Sequence, residues 1–115
     1  MNKREIGTEY EQKACAFIEE EGLRVIETNY RTRTGEIDII ARDKDEIVFL
    51  EVKYRKDRSF GGAEGAIPKS KQRTIIQVAK VYIKMHNLPQ NGFYRFDAVL
   101  IDGEEITHIK NAWQA

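Results

Sequence analysis

Two short runs that combine strand-forming residues with carboxylates constrain this chain more than any other feature. They are GEIDIIA at residues 35–41 and IVFLEVK at residues 47–53. Both are rich in aliphatic and β-branched side chains, as are strands in the middle of a sheet. An ionised carboxylate in such a strand costs roughly several kcal/mol unless a cation or a metal ion compensates it. Asp38 and Glu51 therefore need partners, and Lys53 lies two residues beyond Glu51.

The spacing of these two carboxylates predicts that they lie close together. Residues 42–45 are polar and indicate a tight hairpin turn, so the two strands are expected to pair as antiparallel neighbours. Asp38 and Glu51 then fall roughly opposite each other, and strand alternation puts Glu51 and Lys53 on one face. Such a group suits a divalent cation and a phosphate, which points to phosphodiester hydrolysis. Two solvated carboxylates, each with a basic partner, are the alternative that the residues leave open.

The order of apolar patterns along the chain predicts a mixed α/β fold. Apolar residues at helical spacing alternate with runs that have the composition of strands. The elements besides the two acidic strands are helices at 4–21 and 69–86, a strand at 23–30, and a final hairpin at 93–101 and 105–110. A chain of 115 residues is long enough for a single packed core, so residues 1–115 are expected to form one domain.

Composition excludes several other classes of protein. The sequence contains no apolar run of the length that a membrane span requires and no secretory signal, so we expect no membrane partner. Cys15 is the only cysteine, which excludes a disulfide framework and a cysteine-rich zinc site. These features together predict a reduced, cytoplasmic protein.

Charge is balanced overall but unevenly distributed. The chain carries 19 basic and 19 acidic residues, yet residues 53–73 hold seven basic residues against two acidic ones. Clustered Lys and Arg can neutralise phosphates, and the first turn of a helix favours an anion. The residues predicted to contact nucleic acid are Arg31, Arg33, Arg55, Arg58, Lys69, Lys71 and Gln72. A solvated basic loop is the alternative that the charge pattern leaves open.

Several separated motifs resemble the YraN-type family of uncharacterised bacterial proteins, and the resemblance covers nearly the whole chain. The motifs, in order, are Gly7-x-Glu9, Asn29-Tyr30-Arg31, Gly35–Asp38, Phe49–Arg55, Phe60-Gly61, Lys71-Gln72 and Arg95-Phe96-Asp97. That family is similar to archaeal Holliday-junction resolvases and belongs with the restriction-endonuclease-like PD-(D/E)XK nucleases. The proline of that motif is absent here, because Ile37 precedes Asp38.

The resemblance implies an α-β-β-β-α-β core and a metal-dependent nuclease that cleaves DNA, including branched or junction DNA. It implies a catalytic site of Glu9, Asp38, Glu51 and Lys53. In such a site Asp38 and Glu51, with the backbone carbonyl of Val52, hold Mg²⁺ or Mn²⁺, and Glu9 is an outer ligand. Lys53 assists the attacking water. The helical pattern by itself gives Glu9 a different place, at the edge of the apolar stripe of the first helix.

The alternative function is a catalytically silent nucleic-acid-binding or protein-interaction module of the same fold. The intact acidic residues favour the enzyme, whereas the zero net charge favours the module. Symmetric cleavage of two strands needs two sites, and most homo-oligomers are twofold dimers. We therefore expect a homodimer that uses part of the apolar segment from Phe93 to Trp113.

Overall fold

Two helices pack on opposite faces of one five-stranded mixed sheet. A computed structural model describes residues 3–55 and 67–115, with side chains from Glu9 onward, so the predicted contact residue Arg58 lies outside it. The elements are α1 (Lys3–Glu20), β1 (Arg24–Arg31), β2 (Glu36–Asp43), β3 (Glu46–Arg55), α2 (Lys69–Met85), β4 (Tyr94–Asp102) and β5 (Glu105–Trp113). Neither helix in these ranges is long and apolar enough to cross a membrane.

The strands are arranged in sequence order, β1-β2-β3-β4-β5, across the sheet. β3 and β4 are parallel, and each other neighbouring pair is antiparallel. A parallel pair needs a long crossover connection, which α2 provides between β3 and β4. The predicted mixed α/β fold is therefore confirmed, including the α-β-β-β-α-β order and the final hairpin that adds β5.

The sheet separates the core into two layers. Alternate residues of the central strands, among them Ile39 and Leu50, pack with Ala14 and Ile18 of α1. The intervening residues pack with the buried face of α2, where Phe49 is fully buried. The central strands are apolar on both faces because each face has a helix to cover it.

The end of α1 directs the chain into β1. Gly22 has a φ of 105°, a left-handed conformation that glycine adopts without steric cost. The N–H of Leu23 donates to the carbonyl of Ile18 at 3.0 Å, and the N–H of Gly22 donates to that of Glu19 at 3.1 Å. These two bonds form a Schellman motif. The motif buries Leu23 beneath α1 and begins β1 along the edge of the sheet.

Close approach of α2 to the sheet fixes where β2 begins. A Cβ atom built on Gly35 would lie 2.5 Å from the Cγ2 methyl of Thr74 in α2. Only glycine therefore fits there without displacing the helix or the Thr74 side chain. The contact places the first turns of α2 beside the acidic end of β2.

Both edge strands are irregular. The register of β1 on β2 shifts between Val25 and Glu27, and the register of β4 on β5 shifts between Phe96 and Ala98. Two asparagines in these edge strands, Asn29 and Asn111, have positive φ angles of 55° and 53°. Bulges and left-handed residues of this kind bend and twist a strand locally.

Candidate metal centre

The acidic site lies where β2 and β3 separate. Their antiparallel pairing extends only as far as Ile39 opposite Leu50. Beyond that point β2 stays paired with β1 to Glu36, and β3 stays paired with β4 to Arg55. The two strands therefore form a fork, and the side chains immediately beyond the last pair line its opening.

The carboxylate of Asp38 lies inside this fork. The backbone N–H of Val52 on β3 donates a hydrogen bond of 2.8 Å to Oδ2 of Asp38 on β2. A carboxylate held by a backbone donor is fixed in orientation, which is the preorganisation that a metal ligand requires.

Glu51 lies beside Asp38 and is largely removed from solvent. The residue is 7% exposed. Burial is the main cause that raises the pKa of Glu51, to about 9, and the hydrogen bond and negative charge of Asp38 raise it further. Lys71 of α2 acts in the opposite direction, with its Nζ atom 3.4 Å from Oε2 of Glu51. The structure thus brings together Asp38 and Glu51, as the sequence predicts.

A third and a fourth carboxylate, from Glu11 and Glu36, also lie close to Asp38. Glu11, Glu36 and Asp38 are half-buried, and one carboxylate oxygen from each lies within 4.8 Å of the others. Three oxygen ligands at this spacing match the hard donors that Mg²⁺, Mn²⁺ and Ca²⁺ prefer. We call Glu11, Glu36, Asp38 and Glu51 the acidic cluster.

The buried carboxylate of Glu11 is the observation that most strongly favours a bound cation at the acidic cluster. Its Oε1 atom is buried without a hydrogen-bond partner among the described residues. Burial raises the pKa of Glu11, and the charge of Asp38 raises it further, whereas a hydrogen bond from Asn29 lowers it. An orphaned carboxylate oxygen is costly, and a bound cation would remove that cost.

Sequence reasoning assigned the helical ligand to Glu9 and missed Glu11. The structure places Glu9 exposed on α1, outside the group of neighbouring carboxylate oxygens. A signal for Glu11 was available, because it precedes Ala14 by three residues and Ile18 by seven. Both of these are fully buried, so Glu11 lies on the stripe of α1 that faces the sheet. The assignment of Glu9 stays a prediction from the resemblance.

The other predicted catalytic groups lie near the fork. Val52 is at the fork itself, with its N–H bound to Asp38. Lys53 follows it and is exposed, and no ion pair to it is recorded within the described part of the chain. The ammonium group of Lys53 is therefore accessible to a phosphate or a water molecule.

The predicted nucleic-acid contacts differ in how available they are. Arg31 is 63% exposed but forms an ion pair with Glu36 at 2.9 Å. Arg55 makes two hydrogen bonds of 2.9 Å to Asp102, so its guanidinium is already engaged. The side chain of Gln72 donates to the carbonyl of Ile67 at 3.0 Å. Arg33 and Lys69 are exposed, and Lys71 is exposed but contacts Glu51.

A separate group of buried charges lies on the α1 face of the sheet. Asp97 is fully buried, and its oxygens accept bonds from Arg95, from the backbone N–H of Asn111 at 2.9 Å, and from Nε2 of His108 at 2.7 Å. The other ring nitrogen of His108 bonds Glu21 at 2.6 Å. Four bonds fill the acceptor capacity of Asp97, so this group is structural.

These bonds determine the charge states of the buried group. Burial acts to raise the pKa of Asp97, but its bonds with His108 and Arg95 prevail and lower it. Burial likewise acts to lower the pKa of His108, but its bonds with Asp97 and Glu21 prevail and raise it. Arg95 also reaches Asp43 and Glu46 at the β2–β3 turn, at 3.0 Å each. The group therefore ties the residue that follows α1, the β2–β3 turn and both final strands together.

The fold and the cluster define a single-sheet α/β protein with a carboxylate-lined site at a fork between two strands. Residues 10–101 match the model of the uncharacterised protein family UPF0102. The chain is 44% identical to the UPF0102 protein of Lachnoclostridium phytofermentans, covering all of this chain and 98% of that protein. It is 48% identical to the UPF0102 protein of Psychromonas ingrahamii, over 90% of this chain and 85% of that protein. The chain belongs to the UPF0102 family, which confirms the YraN-type assignment.

Proposed function

We propose that the protein is a metal-dependent nuclease that hydrolyses phosphodiester bonds in DNA. One observation carries the proposal, which is the pairing of Asp38 with the buried Glu51 at the fork. Burying a carboxylate against a second carboxylate costs free energy, which appears here as the raised pKa of Glu51, and a purely structural protein gains nothing from that cost. Sites that bind a divalent cation need such a pair, because the cation compensates both charges.

The residues present fit Mg²⁺ or Mn²⁺. Glu11, Glu36 and Asp38 offer three hard oxygen ligands within 4.8 Å of one another, and Glu51 lies against Asp38. A bound cation would also satisfy the Oε1 atom of Glu11, which has no hydrogen-bond partner among the described residues. A bound Mg²⁺ would lower the pKa of a coordinated water and polarise the phosphate. Lys53 is exposed beside the fork, where its ammonium group can orient water or offset charge as the bond breaks.

Basic residues on one side of the fork support DNA as the substrate. Lys71 contacts Glu51 and lies in the first turn of α2, where unpaired backbone N–H groups favour an anion. Lys69 is exposed in the same turn. A scissile phosphate at the acidic cluster would therefore have cations next to it for the flanking phosphates of the strand.

A cleavage screen tests the proposal directly. Wild-type protein is incubated with labelled single-stranded, duplex, flapped and four-way DNA, and with RNA, in Mg²⁺ or Mn²⁺. We expect cleavage of at least one DNA substrate, none with EDTA, and none by Asp38→Asn. DNA binding by the wild type without cleavage of any substrate would contradict the proposal and support the silent binding module of the same fold.

A matched pair of substitutions in α1 tests which glutamate binds the metal. Glu11→Gln is expected to weaken Mn²⁺ binding roughly 10-fold or more, because it removes one charged ligand from the cluster. Glu9→Gln, two residues away and exposed, is expected to leave the affinity within about twofold. Calorimetric titration measures both. The opposite ranking would restore Glu9 as the ligand, in agreement with the prediction from the resemblance.

The salt dependence of DNA binding tests the role of α2. Lys69→Ala is expected to weaken binding uniformly across sequences and to reduce the slope of log K against log salt by about 1. Lys84→Ala removes the same charge from the opposite end of the helix, about 22 Å away. Fluorescence anisotropy between low and moderate salt measures the slopes. Equal slopes for both variants would mean that DNA does not contact the first turn of α2.

A further inference from the structure

Two tyrosines stack at the end of the molecule that holds the acidic cluster. Tyr10 of α1 and Tyr54 of β3 have ring centroids 4.2 Å apart and planes inclined by 16°. Tyr10 immediately precedes Glu11, and Tyr54 immediately follows Lys53. The aromatic pair is thus covalently next to both a cluster carboxylate and the candidate catalytic lysine.

The outer ring of this pair is not part of the core. Tyr54 is 39% exposed and is absent from both groups of core side chains, whereas Tyr10 packs at the edge of the α1 layer. A tyrosine ring that stacks on a second ring and keeps 39% of its surface exposed can accept a nucleobase by stacking.

The side chain of Lys13 lies over the Tyr10 ring of this pair. The Nζ atom of Lys13 lies 5.8 Å from the centroid of the Tyr10 ring, one helical turn further along α1. Lys13 therefore supplies a positive charge next to the supporting ring of the pair, where it can attract the backbone of a nucleic acid whose base stacks on Tyr54.

We infer that Tyr54, supported by Tyr10, is a stacking platform for an unpaired nucleobase beside the acidic cluster. Bases inside a continuous duplex stack on one another and offer no free face, so the platform selects nucleic acid with an unpaired base close to the scissile phosphate. Tyr54 lies three residues beyond Glu51 on β3, about 10 Å along the strand. It lies on the α1 face of the sheet, the side from which Glu11 joins the cluster, whereas Glu51 faces Lys71 of α2. The inference rests on the proposed function and names its substrate class, which is a flap or branch point.

The test uses DNA flaps that carry 2-aminopurine in the unpaired arm, with the wild type and two variants in buffer without divalent metal. Stacking on the platform is expected to change the 2-aminopurine fluorescence on binding. Tyr54→Leu keeps an apolar contact with Tyr10 but is expected to lose this change and to bind the flap roughly 5- to 100-fold more weakly. Tyr54→Phe keeps the ring and is expected to behave as the wild type.

The outcomes separate the platform from the nuclease. Unchanged fluorescence response and affinity in Tyr54→Leu would overturn the platform while leaving the nuclease proposal intact. Equal weakening on flap and blunt duplex by Tyr54→Leu would also overturn it, because the effect would then not depend on unpaired bases. A normal response with no cleavage in Mg²⁺ would support the platform and overturn the nuclease. No binding of any nucleic acid by the wild type would overturn both.

Discussion

Glu51→Gln is expected to stabilise the metal-free protein and, at the same time, to abolish DNA cleavage. The side chain is buried against Asp38, which raises its pKa from 4.5 to about 9. Between those two values the folded protein keeps a proton that the unfolded chain releases, so the stability of the wild type falls as pH rises. Glutamine has the same shape and never ionises, and the variant therefore escapes this loss.

The difference in the free energy of unfolding between Glu51→Gln and the wild type is expected to grow with pH. At pH 5 the two proteins are expected to differ by less than about 1 kcal/mol, and at pH 8 Glu51→Gln is expected to be more stable by about 2–4 kcal/mol. Glu104→Gln makes the same change at an exposed position and is expected to alter stability by less than about 0.5 kcal/mol. Urea denaturation without metal, at both pH values, measures the differences. A destabilised Glu51→Gln protein at pH 8 would contradict the assignment of a strained carboxylate pair.

The same substitution removes a charged metal ligand, so cleavage is expected to fall about 10³-fold or more. Metal binding by the wild type must displace the proton from Glu51, and the affinity for Mg²⁺ is therefore expected to rise as pH increases towards 9. Titration at several pH values measures this dependence. A pH-independent affinity would show that Glu51 is not a ligand.

Asp97→Asn is expected to cause the largest loss of stability of any single change described. It removes the only carboxylate that contacts both Arg95 and His108 within the buried group. The side chain of Arg95 is 11% exposed and that of His108 is 1% exposed, so neither can recover its hydration. Breaking a buried ion pair at one partner costs about 3–5 kcal/mol.

Thermal unfolding measures this loss, and the expected fall in the melting temperature is roughly 10–25 °C. The difference between wild type and variant should be largest from pH 3.8 to 6.5. Below that window Asp97, whose pKa is lowered, begins to gain a proton, and above it His108 loses one as pH rises through its raised pKa. Asp45→Asn, at an exposed position, is the control. Equal melting temperatures for both variants would mean that the buried group contributes no net stability.

Local patterns were sufficient to predict the elements and the central pair of the site. Strand alternation and a short polar turn place Asp38 opposite Glu51, and neither inference needs information beyond about fifteen residues. The order of helices and strands follows from the same kind of local periodicity. The family resemblance then supplies an overall topology that the structure reproduces.

Contacts between distant segments could not be predicted in this way. Asp97 receives partners from His108 and Asn111 of β5, and the stacking of Tyr10 on Tyr54 joins residues that are 44 positions apart. Glu11 differs, because its place on the buried stripe of α1 was visible in the sequence. Glu11 was missed because the prediction preferred Glu9, which belongs to the Gly7-x-Glu9 motif of the resemblance. Glu11 is the glutamate that fits the helical period of the buried residues.

The apolar C-terminal segment from which a homodimer was predicted is largely used within one chain. Phe96, Val99, Ile101 and Trp113 are buried in the core, whereas Phe93 is 71% exposed. The homodimer stays a prediction, and sedimentation at micromolar concentration would measure it. Phe93 is the apolar residue of this segment that a second copy would find most accessible.

The irregular edges of the sheet limit how two copies can meet. An open sheet has two strands with unpaired backbone groups, and these invite a neighbouring chain to extend the ladder. Here both outer strands carry a register shift and a left-handed asparagine, so neither presents the straight row of donors and acceptors that continuous pairing needs. These irregularities disfavour edge-to-edge pairing, so we expect a twofold assembly to be built from side-chain contacts instead of a shared sheet.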